Sequence, residues 1–181
     1  LWIHGGAVSV GFGHEKEVDG EAVARKGVIL VTVNYRLGLC GFMAHPLLTA
    51  ENAGNGSGNY GLFDQLAALK WVRRNIREFG GDPDNITVFG QSAGACSVQA
   101  LVSSPLTEGL ISKAIIQSGG GLNGPLAPMP RAKLEETNKE MWDLAGRTTL
   151  EAMRACPPEQ FGRIVSAYVA SKGGYRHSSL I

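Results

Sequence analysis

Apolar residues follow two rhythms along the 181 residues. Short continuous runs (Leu1-Trp2-Ile3, Val28-Ile29-Leu30-Val31-Thr32-Val33, Ile86-Thr87-Val88-Phe89 and Ala114-Ile115-Ile116) have the length and β-branched character of strands. A nearly unbroken apolar run suits a parallel strand covered on both faces, and residues 28–33 are expected to be such a central strand. The other rhythm is helical. Leu62, Leu66, Leu69, Val72 and Ile76 recur at three- and four-residue steps, which predicts a helix over residues 64–79. Lys70, Arg73, Arg74 and Arg77 take its other face and read as a solvated surface. Gly80-Gly81-Asp82-Pro83 stops it. Shorter helices are predicted over residues 15–26 and 93–103, the second with Val98, Leu101 and Val102 inward. From Arg131 the pattern stays helical. Leu134, Met141, Trp142 and Leu144 mark one segment; Leu150, Met153, Ile164 and Val165 mark shorter ones, with Pro157-Pro158 between two of them. Strands alternating with helices predict an α/β fold, a mostly parallel sheet flanked by helices.

The remaining stretches are connections. Residues 52–61 are rich in Gly, Asn and Ser and read as a surface loop; residues 125–130 read as a proline-rich surface turn. The tail from residue 171 carries no firm pattern. Composition changes this picture little: 44% hydrophobic residues with 17 Lys+Arg against 16 Asp+Glu is ordinary for a globular chain. The near-zero net charge gives no electrostatic case for nucleic acid or anionic membrane, and no apolar run is long enough to cross a bilayer. Cys40, Cys96 and Cys156 form no C-x-x-C pair, so no zinc site is predicted; buried free thiols are expected, with one disulfide left open. No cofactor or metal site is predicted. The opening Leu1-Trp2-Ile3 reads as the end of a strand, so a longer parent protein is expected. Cytoplasmic and secreted locations both stay open.

The candidate chemistry lies at Gly90-Gln91-Ser92-Ala93-Gly94. This is G-x-S-x-G between a predicted strand and a predicted helix, the setting of a nucleophile elbow. Cβ atoms at positions 90 and 94 would collide in so tight a turn. Ser92 would sit at a helix N-terminus, where free backbone N–H groups favour developing negative charge. His4-Gly5-Gly6-Ala7, after the first strand, is where a second set of N–H donors is expected. His4 is expected to orient that loop through a ring hydrogen bond rather than to act as base. Ser118, in Gln117-Ser118-Gly119-Gly120-Gly121, lacks the same frame and reads as a loop or pocket-wall residue. Arg36 and Asp64 are expected to form a buried ion pair.

Residues 79–94, Phe79-Gly80-Gly81-Asp82-Pro83-Asp84-Asn85-Ile86-Thr87-Val88-Phe89-Gly90-Gln91-Ser92-Ala93-Gly94, resemble the serine signature of the type-B carboxylesterases, the α/β-hydrolase branch that includes the cholinesterases. Trp2-Ile3-His4-Gly5-Gly6, Asn34-Tyr35-Arg36-Leu37-Gly38, Asn59-Tyr60-Gly61-Leu62 with Asp64-Gln65, and Gln117-Ser118-Gly119 resemble further motifs of that family in its order. The resemblance is strong over residues 1–125. It implies a single incomplete α/β-hydrolase catalytic domain over residues 1–181: a sheet core with oxyanion loop and elbow in 1–125 and a helical insertion region in 126–181. It implies that Ser92 forms the acyl-enzyme, that Gly6, Ala7 and Ala93 donate the oxyanion hole, and that the partner is a small ester. Ala7 stands where many relatives have glycine, and its methyl is expected to narrow the cavity. Gln91 stands where cholinesterases have glutamate, which weakens the case for a cationic substrate. The triad carboxylate and histidine are expected outside this chain. Asp143, Glu151 and His177 follow in a permitted order without a family motif and read as surface residues. The alternative is a non-catalytic interaction or adhesion protein on the same fold.

Overall fold

The computed structural model describes residues 1–53, 55–121 and 128–172. Its strands are β1 (Trp2–Ile3), β2 (Thr87–Gln91) and β3 (Lys113–Gln117). Its helices are α1 (Glu21–Ala24), α2 (Gly38–Phe42), α3 (Pro46–Glu51), α4 (Tyr60–Asn75), α5 (Ala93–Val102), α6 (Arg131–Leu144), α7 (Leu150–Arg154) and α8 (Pro158–Ser171). The chain divides into two compact units, Leu1–Leu37 with Gly61–Ala127, and Gly38–Tyr60 with Pro128–Ile181.

The first unit is a parallel sheet in the order β1-β2-β3. Trp2 and Ile3 pair with Phe89 and Gly90, and the β2–β3 ladder closes at Gln91–Gln117. Parallel neighbours need a crossover connection, and α5 supplies it between β2 and β3. Val88 on β2 and Val98 on α5 are fully buried. α4 starts four residues before the predicted helix and runs on as a 3₁₀ turn, Ile76–Phe79, that ends on left-handed Gly80. Its inward face is the predicted Leu66, Leu69, Val72 and Ile76, with Leu62 only half-buried and fully buried Gln65 added. Gln65 donates through Nε2 to Ser97 Oγ at 3.2 Å, joining α4 to the serine-bearing helix α5.

Four expectations need correction in this unit. Residues 28–33 form no strand of the sheet and are exposed or half-buried. Trp2 alone pairs with them among the described residues, through its N–H to Val31 C=O at 2.8 Å and a bridge to Thr32. Val28 is 51% and Ile29 42% exposed, and the run borders a hollow of about 660 Å³ that Val72, Ile76, Phe89 and Ile115 also line. An apolar run records that a strand is built to be covered; the described residues do not supply the cover. Val102, expected inward, is exposed, because α5 turns only Val98 and Leu101 to the core at its C-terminal end. The Arg36–Asp64 pair forms but is not buried. Arg36 Nη2 and Nε donate to Asp64 at 2.7 and 2.8 Å, and the side chains are 52% and 27% exposed. Arg73, read as a solvated residue, instead braces the turn into β2 through a 2.7 Å pair with Asp84.

Partial burial of Asp64 opposes ionisation, but hydrogen bonds from the Arg36 side chain and backbone outweigh it and hold the carboxyl below its ordinary range. Asp64 also accepts the Arg36 backbone N–H at 2.9 Å. Removal of the two partners is therefore expected to be asymmetric. Arg36→Met loses a half-exposed pair worth at most about 1 kcal/mol. Asp64→Ala additionally strips the Arg36 N–H and is expected to cost about 1 kcal/mol more. Denaturant unfolding of both variants in the full-length protein checks this; equal costs would show that the backbone bond contributes nothing.

The second unit is helical. Leu39, Met141, Trp142, Met153 and Tyr168 form its core, with Met43, Leu150, Phe161, Ile164 and Val165 against it. Leu144, expected to share the apolar face of α6, is 73% exposed at the helix end. Trp142 donates Nε1–H to Met43 Sδ at 3.1 Å and stacks on Phe161 at 5.8 Å. The three cysteines are free, but none is buried: Cys40 is exposed, and Cys96 and Cys156 are half-buried. Asp143 and Glu151 are surface residues as expected, Asp143 paired with Lys139. His177 and part of the proline-rich 125–130 turn lie outside the described residues, as does most of the tail from residue 171.

His45 carries a pH dependence in this unit. It is 2% exposed and caps α3, its Nδ1 accepting the Leu47 N–H at 3.2 Å. An accepting Nδ1 must be unprotonated. Burial pushes the imidazole pKa down from 6.5; Asp143 and Glu135 oppose that shift and Lys139 adds to it. With the folded value below the unfolded one, the unfolded chain binds more protons in the window between them. The His45 contribution is thus complete above about pH 6.5 and lost as pH falls below it. Asparagine also caps helices. The His45→Asn variant is expected to keep its Tm at pH 7.5 and to lose part of the Tm drop between pH 7.5 and 5.5. An unchanged drop would refute the assignment.

Candidate active site

Ser92 stands at the corner between β2 and α5 with φ 55° and ψ −121°, a backbone conformation that costs a non-glycine residue about 1–3 kcal/mol. Neighbouring groups fix it there. Its N–H donates to Gln117 C=O at 2.9 Å, and its C=O accepts the Cys96 N–H at 3.1 Å. The glycines around it are dictated by contact. A Cβ on Gly90 would lie 2.6 Å from Gly94 C, and one on Gly94 would lie 2.1 Å from Ile3 O. Ser92 also holds the N-cap position of α5, yet its hydroxyl makes no capping hydrogen bond. Serine at an N-cap normally uses its oxygen for the helix; this one leaves it available.

The glycine loop meets the serine at Gly5. A Cβ there would lie 3.2 Å from Ser92 Cβ and 2.8 Å from Gln91 O. Gly6 has φ 101°, and its C=O accepts the Ser9 and Val10 N–H groups at 2.9 and 3.0 Å, closing a tight turn. Ala7 and Val8 follow at φ 52° and 55°, so three consecutive residues are left-handed. His4 underpins the loop. Its ring is 1% exposed and Nδ1 lies 2.8 Å from Gly5 O, a contact that requires the proton on Nδ1. This is the orienting hydrogen bond expected from the sequence. Tyr35 completes the support, which sequence reading did not foresee. Its ring stacks on His4 at 4.4 Å and its hydroxyl donates to His4 C=O at 2.8 Å. Burial pushes the phenol pKa well up, so it remains a donor. The signal available in the sequence is a tyrosine two residues beyond an apolar run, within Asn34-Tyr35-Arg36-Leu37-Gly38.

Ala93 is the first residue of α5, and the first four N–H groups of a helix have no intrahelical acceptor. The loop backbone at Gly5 and the helix start at Ser92–Ala93 thus border one another. Ser118, at φ 51° and exposed, belongs to the loop after β3, as expected. Among the described residues no group of three or more His, Cys, Asp or Glu could hold a metal ion, and no helix is long and apolar enough to cross a membrane.

The model of the carboxylesterase family matches residues 1–166. The chain belongs to the carboxylesterase family. It is 45% identical to fumonisin B1 esterase of Sphingopyxis macrogoltabida over 93% of its own length and 34% of the relative's. It is 55% identical to para-nitrobenzyl esterase of Bacillus subtilis over 66% of its length and 24% of that protein's. Among solved structures, a thermophilic PNB esterase superposes with a TM-score of 0.87 at 38% identity, covering 99% of this chain and 36% of the other. This carboxylesterase chain therefore has the α/β-hydrolase arrangement of parallel sheet and flanking helices, and spans about a third of the length of the fumonisin relative.

Proposed function

We propose that the full-length protein is a serine hydrolase that cleaves carboxylic esters through an acyl-enzyme on Ser92. The observation that carries the reading is the strained corner at φ 55° where the hydroxyl is withheld from capping α5. Family membership supports ester hydrolysis as the reaction class. In this mechanism Ser92 Oγ attacks the ester carbonyl carbon while a base takes its proton, and the carbonyl oxygen becomes an oxyanion. The backbone N–H groups of Gly6, Ala7 and Ala93 are assigned to that oxyanion, each such donor being worth roughly 2.7–4 kcal/mol of transition-state stabilisation. Collapse of the intermediate expels the alcohol, and water then attacks the acyl-enzyme by the same route in reverse. The carboxylate and histidine that activate Ser92 are assigned to the family length that the 181 residues do not span. The substrate is a small ester; neutral Gln91 favours one without a cationic head group, and the Ala7 methyl narrows the cavity that receives it.

Fluorophosphonate labelling of the full-length protein, followed by peptide mapping, tests this assignment. Stoichiometric label on Ser92 is expected. Absence of label would favour the alternative, a non-catalytic interaction protein on the same fold.

A further inference from the structure

The sheet ladder between β2 and β3 ends at Gln91–Gln117, so no strand pairing holds the four residues that follow. Yet Ser92 is held by the last residue of β3 and by the start of this segment. Gln117 accepts the Ser92 N–H, and a Cβ on Gly119 would lie 2.3 Å from Ser92 O and 2.9 Å from Ala95 Cβ. The segment is also conformationally demanding, with Ser118, Gly120 and Gly121 at φ 51°, 83° and 87°. Its backbone N–H groups at 120 and 121 turn toward α5. Two side chains three residues apart on α5, hence on one face, receive them. Cys96 Sγ accepts the Gly120 N–H at 3.2 Å, and Gln99 Oε1 accepts the Gly121 N–H at 2.6 Å. A Cβ on Gly120 would sit 2.5 Å from Gln99 Oε1, so the amide is seated directly against the loop.

We infer that Cys96 and Gln99 are positioning residues for Ser92: their acceptor atoms hold the 118–121 loop on α5, and the loop holds the serine in its strained corner. The inference rests on the assignment of Ser92 as nucleophile. Neither side chain is placed against substrate. They act because Ser92 would relax toward ordinary φ if Gln117 C=O and the Gly119 backbone moved away, and a displacement of about 1 Å at a reacting atom costs on the order of 10²-fold in rate. Gln99, with the shorter bond and the firmer acceptor, carries the larger share; a thiol sulfur is a weak acceptor.

The test uses the full-length protein and the second-order rate of fluorophosphonate labelling, with the final labelled fraction and Tm measured alongside. Gln99→Met keeps the side-chain length but replaces the amide oxygen with a thioether sulfur, which accepts only weakly. Labelling is expected to slow about tenfold while still reaching one label per chain, with kcat falling and KM unchanged. Gln99→Glu retains an Oε acceptor and is expected to label within about twofold of the native rate. Cys96→Ala is expected to slow labelling about threefold, and Cys96→Ser to restore it. Native-rate labelling of Gln99→Met, or equal slowing by Gln99→Glu, would overturn the inference. So would a reduced labelled fraction at an unchanged rate constant, since that reports unfolding alone. A native protein that takes no label, or takes it elsewhere than Ser92, would instead remove the nucleophile assignment, and this inference with it.

Discussion

Ser92→Ala in the full-length protein is expected to lower kcat for p-nitrophenyl esters by about 10⁴-fold or more while leaving the unfolding free energy within about 0.5 kcal/mol of native. The two halves of this result are linked. A serine that caps a helix would cost about 1 kcal/mol on truncation, but the Ser92 hydroxyl makes no such bond. Alanine retains the Cβ, so the strain at φ 55° is the same in both proteins. The hydroxyl thus contributes nothing to the fold on the contacts seen here, and its loss should appear in chemistry alone. Residual hydrolysis is expected from the backbone N–H groups assigned to the oxyanion, which the substitution leaves in place. A variant retaining activity within tenfold of native would exclude an acyl-enzyme on Ser92.

Much of this site is legible in the sequence because its signals are local. Gly90 is set in part by its contact with Gly94 inside a strand–turn–helix of a few residues, and the pattern of apolar residues before and after them identifies those elements; the Ile3 backbone that sets Gly94 lies on β1, far away in sequence. The hydrogen bond from His4 to Gly5 is equally local. What escaped was whatever depends on a distant neighbour. Nothing about Tyr35 alone shows that its hydroxyl reaches His4 C=O across 31 positions. Gln65 looks like a polar residue beside an apolar stripe until Ser97 receives its amide. Burial of residues 28–33 failed for a related reason. Hydrophobicity reports the environment a strand requires, and the exposure of Val28 and Ile29 reports the environment the described residues provide. The Arg36–Asp64 pair was placed correctly by sequence, but its depth is a property of the packing around it, which charge patterning does not encode.

Gly94→Ala is expected to damage stability and activity together, in contrast to the serine substitution. The methyl group would have to occupy space 2.1 Å from Ile3 O and 2.8 Å from His4 O. Both atoms are backbone, so no side-chain rotation relieves the contact; β1 or the first turn of α5 must shift. Overpacking of this kind typically costs about 1–3 kcal/mol. β1 cannot retreat alone, since Trp2 and Ile3 are paired to β2 and the next residues are His4, Gly5 and Gly6. Displacement of Ile3 therefore carries the Gly5 backbone away from Ser92 and disturbs the Tyr35 bond to His4 C=O. A shift of about 1 Å in the assigned oxyanion donors should lower kcat/KM by on the order of 10²-fold. Gly90→Ala meets Gly94 C and Ile3 O from the other side and should behave alike. Denaturant unfolding with ester kinetics on both variants distinguishes the cases. Native stability with reduced activity would mean that the elbow yields without straining the sheet. Native activity in either variant would show that β1 and the serine turn are not held in the contact that makes Gly90 and Gly94 necessary.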